Sequence, residues 1–116
     1  MTAGQVDSIK SYDLGPVERV PVGEGRLYFA GPTLLAIFRS RSGELFATQP
    51  DCPHRGGPLA DGIVGERTLI CPLHANKFDL ETGKPLGNDC APLKTYRVEI
   101  SANGHIVIPI QGVRSE

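Results

Sequence analysis

No window of this 116-residue sequence keeps apolar residues at positions i, i+3, i+4 and i+7 over the length of a helix. The 14 Gly and 10 Pro cut the apolar residues into short runs, and the longest of these spans only residues 34–38. Runs of that length between turn formers fit β-strands, so an all-β domain is expected. Five residues are far below the roughly 18 that a membrane-crossing helix needs. The first twenty residues carry Asp7, Lys10, Asp13, Glu18 and Arg19 and leave no apolar core for a signal peptide. A formal net charge of −1 gives no field to concentrate nucleic acid or anionic membrane. The expectation is therefore a single cytoplasmic domain, residues 1–116, with neither nucleic acid nor membrane as partner.

The turn signals set the expected strands. Residues 27–30 and 33–38 flank Gly31-Pro32, and residues 45–48 follow a Ser40-Arg41-Ser42-Gly43 turn, which reads as a meander. Residues 95–101 and 105–110 surround Ala102-Asn103-Gly104, where Asn-Gly supplies the positive φ values that a tight hairpin turn demands. Between these blocks, residues 50–87 hold only strand fragments such as 68–70 and 77–79.

All the chemistry lies in that interval. Asp51-Cys52-Pro53-His54-Arg55-Gly56-Gly57-Pro58 and Ile70-Cys71-Pro72-Leu73-His74-Ala75-Asn76 each supply one thiol and one imidazole close together, and both open with Cys-Pro. Three Cys is an odd number, which argues against the disulfide framework of a small secreted domain and turns attention to metal. Structural zinc sites commonly use Cys-x(2–4)-Cys and His-x(3–5)-His pairs, and a Cys-x-His step is short for that purpose. Two sulfide-bridged irons remove the difficulty: Cys52 and Cys71 can hold one, His54 and His74 the other. A zinc-binding interaction domain is the alternative. Cys90 has no His or Cys nearby and is expected to be a buried or free thiol, and His105 an exposed hairpin residue.

At these positions the chain resembles the Rieske family, whose pattern Cys-x-His, a spacer, then Cys-x-x-His matches Cys52, His54, Cys71 and His74. Gly56-Gly57-Pro58-Leu59, Lys77-Phe78-Asp79-Leu80 and Leu93-Lys94-Thr95-Tyr96 extend the likeness to the small members, over about residues 17–110. These include ferredoxins of ring-hydroxylating dioxygenases and small subunits of NAD(P)H-dependent nitrite reductases; residues 52–59 and 95–98 lean towards the latter. The resemblance implies stacked antiparallel sheets, with two loops forming a cluster-binding subdomain at about 50–87. It also implies one Rieske [2Fe–2S] cluster and electron exchange through the imidazoles with a reductase and a terminal oxidoreductase. Such a chain would not be catalytic alone.

Two neutral imidazoles in place of two thiolates raise the formal charge of the diferric cluster from −2 to zero. Rieske potentials accordingly span about −150 to +300 mV, against about −400 mV for plant-type ferredoxins. High-potential members carry a disulfide and hydroxyl donors near the cluster, where this chain has Gly57, Leu73, Asn76 and Phe78. A potential at the low end of the range is expected. Relatives usually have Gly-Trp after the second His, where this chain has Ala75-Asn76. Asn76 either donates to a ligand or faces solvent. Gly56 and Gly57 either admit backbone N–H groups to the sulfides or serve the turn, and Arg55 is either solvated or meets an acidic partner.

Overall fold

The computed structural model describes residues 9–53, 56–72 and 75–111. Within them run eleven strands: β1 (Ile9–Pro16), β2 (Gly25–Ala30), β3 (Thr33–Arg39), β4 (Leu45–Thr48), β5 (Ile63–Val64), β6 (Thr68–Ile70), β7 (Lys77–Asp79), β8 (Pro85–Leu86), β9 (Thr95–Tyr96), β10 (Glu99–Ile100) and β11 (His105–Gln111). Two single 3-10 turns, Val17–Arg19 and Leu59–Asp61, are the helical segments among these residues. All pairing is antiparallel and gives three sheets, ordered β1-β11-β10, β2-β3-β4-β9 and β5-β6-β7-β8.

The central strand β3 explains how the sheets stack. Side chains alternate faces along a strand, and here Leu35 and Ile37 enter one core while Ala36 and Phe38 enter another. The first core also takes Ile106 and Ile108 from β11; the second takes Val64, Leu69 and Phe78 from the β5–β8 sheet. The β2-β3-β4-β9 sheet is thus a middle layer covered on both sides. That is why residues 34–38 read as an unbroken apolar run rather than an alternating one.

The expected meander is present. Ala30 pairs with Thr33 across Gly31-Pro32, and β3 pairs with β4. Two expectations need correction. Residues 95–101 do not form one strand: Thr95 and Tyr96 pair with Thr48 and Ala47 of the middle sheet, whereas Glu99 and Ile100 pair with Val107 and Ile106 of the outer one. The chain changes sheets at Arg97-Val98, so no single ladder can hold the whole segment. In the Asn103-Gly104 turn only Gly104 has positive φ, at 80°. Ser101 and His105 close a three-residue loop, with the His105 carbonyl accepting the Ser101 N–H at 2.9 Å, which is the next hairpin class after the two-residue turn. Ahead of the expected elements, β1 pairs with β11 from Ile9–Gln111 to Pro16–His105, with a bulge between Asp13 and Gly15.

Candidate metal centre

Two hairpin loops present the sulfur donors. The first leaves β4 and is closed where the Leu59 N–H reaches the Pro50 carbonyl (3.0 Å) and Asp51 bridges Pro58. Inside it, the Cys52 N–H donates to the Gly57 carbonyl (2.8 Å) and the Gly56 N–H donates to the Cys52 carbonyl (2.8 Å). The second loop joins β6 to β7 beyond the Ile70–Lys77 pair. There the Cys71 N–H donates to the Asn76 carbonyl (2.8 Å) and the Ala75 N–H to the Cys71 carbonyl (2.9 Å). The loops are conformational twins: the cysteine N–H is bonded to the fifth residue on, and its carbonyl to the fourth.

The fourth residue must turn the chain back with positive φ. Gly56 does so at 71°, where the absence of a Cβ makes it cheap. Ala75 does so at 58° and is the single non-glycine residue with positive φ among the described residues. Since the Gly56 N–H is committed to the Cys52 carbonyl, Gly56 serves the turn.

Cys52 and Cys71 are 4% and 1% exposed and belong to one buried cluster with Leu59, Leu69, Phe78 and Leu93. The structure therefore brings together the two cysteines that lie nineteen positions apart in the sequence. A second contact locks the loops to each other. A Cβ on Gly62, just after the first loop, would lie 2.5 Å from the Ile70 carbonyl oxygen and 2.8 Å from Leu69 Cδ1. This close approach sets the first loop against the strand that feeds the second. Two sulfurs at equivalent loop positions, both withdrawn from solvent, fit a group that takes one bond from each loop. His54 and His74, together with Arg55 and Leu73, lie outside the described residues.

Sequence reasoning missed the parts played by Ala75 and Gly62. The paired Cys-Pro openings hinted at the twinning, and the Gly at Cys52 + 4 marked where Ala75 must bend. The contact of Gly62 with Ile70 acts across strands and left no local signal. Cys90 is a half-buried thiol packed against the same cluster. His105 opens β11 and its Nδ1 lies 2.9 and 3.0 Å from the two carboxylate oxygens of Asp13. That hydrogen bond, and a second from the Gly15 N–H (2.8 Å), hold the Asp13 carboxyl below its ordinary pKa.

Stacked antiparallel sheets with buried thiols in two matched loops define a small β domain that gathers two cysteines into one buried cluster. The Rieske [2Fe–2S] domain model matches residues 10–97, and the chain belongs to that family, whose cofactor is a [2Fe–2S] cluster. It is 36% identical over 106 residues to the ferredoxin component of the naphthalene 1,2-dioxygenase system of Pseudomonas aeruginosa, covering 86% of this chain and 90% of that one. The ferredoxin component of the 2,4-dinitrotoluene dioxygenase system of Burkholderia sp. is 43% identical over 63 residues, 51% of this chain and 58% of that one. Among solved structures, the Sphingomonas yanoikuyae B1 ferredoxin superposes with a TM-score of 0.75 at 33% identity, over 85% of this chain and 97% of that one. A Mycobacterium tuberculosis chain named as the small subunit of an NADH-dependent nitrite reductase gives a TM-score of 0.80 over 93% and 99%, at 20% identity, a likeness of fold alone.

Proposed function

We propose that the chain is a one-electron carrier in which Cys52, His54, Cys71 and His74 hold a Rieske [2Fe–2S] cluster. It would pass electrons from an NAD(P)H-linked flavin reductase to a terminal oxygenase. The observation that carries this reading is the burial of Cys52 and Cys71 at matching positions of twin loops, with His54 two residues after one and His74 three after the other. A cluster held by this donor set supplies a one-electron couple above the range of all-thiolate ferredoxins. The residues around it do the rest. The apolar cluster of Leu59, Leu69, Phe78 and Leu93 keeps water from the sulfur side, and the backbone bonds of each loop fix the placement of its cysteine.

The ferredoxin with 36% identity across most of both chains supports an oxygenase as electron acceptor. A nitrite reductase complex is the second candidate, on the resemblance of residues 52–59 and 95–98. The chain would work in the cytoplasm. Among the described residues no helix is long and apolar enough to cross a membrane.

Purified protein should be red-brown with two irons and two sulfides per chain; a colourless protein with one zinc overturns the reading. Its midpoint should fall at the low end of the Rieske range, and a value above about +150 mV contradicts the low-potential assignment. Reconstitution with an oxygenase and its reductase should give NADH-dependent turnover. Failure there, with turnover alongside a nitrite reductase, moves the acceptor to the second candidate.

A further inference from the structure

Asn88 makes three hydrogen bonds through one half-buried side chain. Its Nδ2 donates to the Lys77 carbonyl (3.0 Å) and to the Leu86 carbonyl (3.2 Å), and its Oδ1 accepts the Cys90 N–H (2.9 Å). Two carbonyls facing the nitrogen and one N–H facing the oxygen satisfy the amide in only one orientation. Lys77 and Leu86 are paired residues at the end of the β7–β8 ladder. The amide thus continues the ladder where the backbone stops doing so.

That position matters because of what lies one residue away. Lys77 directly follows Asn76, whose carbonyl holds the Cys71 N–H. The first loop has an amide of its own at its entry: Gln49 Nε2 donates to the Asp51 carbonyl (2.7 Å) and Gln49 Oε1 accepts the Lys94 N–H (2.8 Å), beside the backbone bonds at Cys52–Gly57 and Pro50–Leu59 and the close approach at Gly62. Each loop is thus held by a separate side-chain amide, Gln49 at the entry of the first and Asn88 at the exit of the second.

We infer that Asn88 is a positioning residue for the second loop, a clamp that fixes the Lys77 carbonyl and through it the placement of Cys71. The inference rests on the ligand assignment proposed above. Asn88→Asp keeps an oxygen for the Cys90 N–H but turns a carboxylate on two carbonyls. Asn88→Ser keeps the local turn, since a Ser hydroxyl can cap the backbone two residues on, but is too short to reach Lys77. Both variants therefore separate the clamp from the turn.

The experiment is hydrogen exchange by mass spectrometry on the cluster-loaded protein, comparing a peptide over residues 70–77 with one over 51–58. In both variants the 70–77 peptide should exchange about five- to tenfold faster, the range expected for losing one or two hydrogen bonds, while 51–58 is unchanged. Iron loss to a chelator should accelerate and the g-values of the reduced cluster should shift. Wild-type exchange at 70–77 in both variants overturns the clamp, and so does equal acceleration in both peptides, which marks general loosening. Should the wild-type protein lack the absorption of a [2Fe–2S] cluster, the ligand assignment fails, and the exchange comparison still decides the clamp.

Discussion

Gly56 and Ala75 occupy the same place in two loops, each donating its N–H to the carbonyl of a buried cysteine four residues earlier and each bent to positive φ. The geometry is the same, but the cost differs, since an L-residue in this region loses roughly 1 kcal/mol relative to Gly.

Ala75→Gly should therefore stabilise the protein by about 1 kcal/mol, and Gly56→Ala should destabilise it by about the same amount. Thermal denaturation of both variants checks this. A lower melting temperature for Ala75→Gly contradicts the strain.

Gly62→Ala should be far more damaging than its single methyl suggests. The added Cβ would meet the Ile70 carbonyl at 2.5 Å, which is backbone and cannot swing aside. A loss of about 1–3 kcal/mol is expected from overpacking. Because the contact joins the two loops, iron content per chain should fall as well. Full iron content in a folded Gly62→Ala protein would show that the loops do not depend on each other.

The division of the interior into two cores gives a contrast between truncations. Phe78→Ala removes a fully buried ring from the cluster of residues that includes both cysteines. Ile108→Ala removes a fully buried side chain from the other core. Each should cost about 2–5 kcal/mol in denaturant unfolding. Only Phe78→Ala should also alter the visible spectrum and the rate of cluster loss. Equal spectral change in the two variants would mean that the middle sheet does not insulate one core from the other.

Asp13 predicts an acid limb of stability. Its carboxyl is held below the ordinary value of 3.8, first by the His105 hydrogen bond and then by the Gly15 N–H. A depressed acid contributes stability that is fully present above its unfolded pKa and is lost as pH falls through the folded one. The denaturation midpoint of Asp13→Asn should thus lie below wild type near neutral pH, and the two should converge as pH falls below 3.8. Parallel curves down to the lowest pH would remove Asp13 from the account, and an NMR titration of its carboxyl gives a direct check.

Much of the architecture was legible because it is locally encoded. Gly31-Pro32 marked the β2–β3 turn, and the Ser40–Gly43 segment marked the entry to β4. The strand fragments at 68–70 and 77–79 stood out between breakers and became β6 and β7. Residues 95–101 misled because strand propensity does not say which neighbour a strand will find. Two residues pair with β4 and two with β11, and the change of partner at Arg97-Val98 has no local mark.

The sequence by itself marked the candidate donors, since thiols and imidazoles at the offsets of Cys52, His54, Cys71 and His74 need no fold to be noticed. It also determined the β class, through breakers that forbid helices. Only the tertiary structure decided that β3 is buried on both faces, that the cysteine loops are twins, and that Gly62 and Asn88 hold those loops from outside. The physical reason is range. A turn or ligand motif acts through neighbouring residues, whereas Gly62 meets Ile70 and Asn88 meets Lys77 across strands. Such contacts exist only after the sheets have paired.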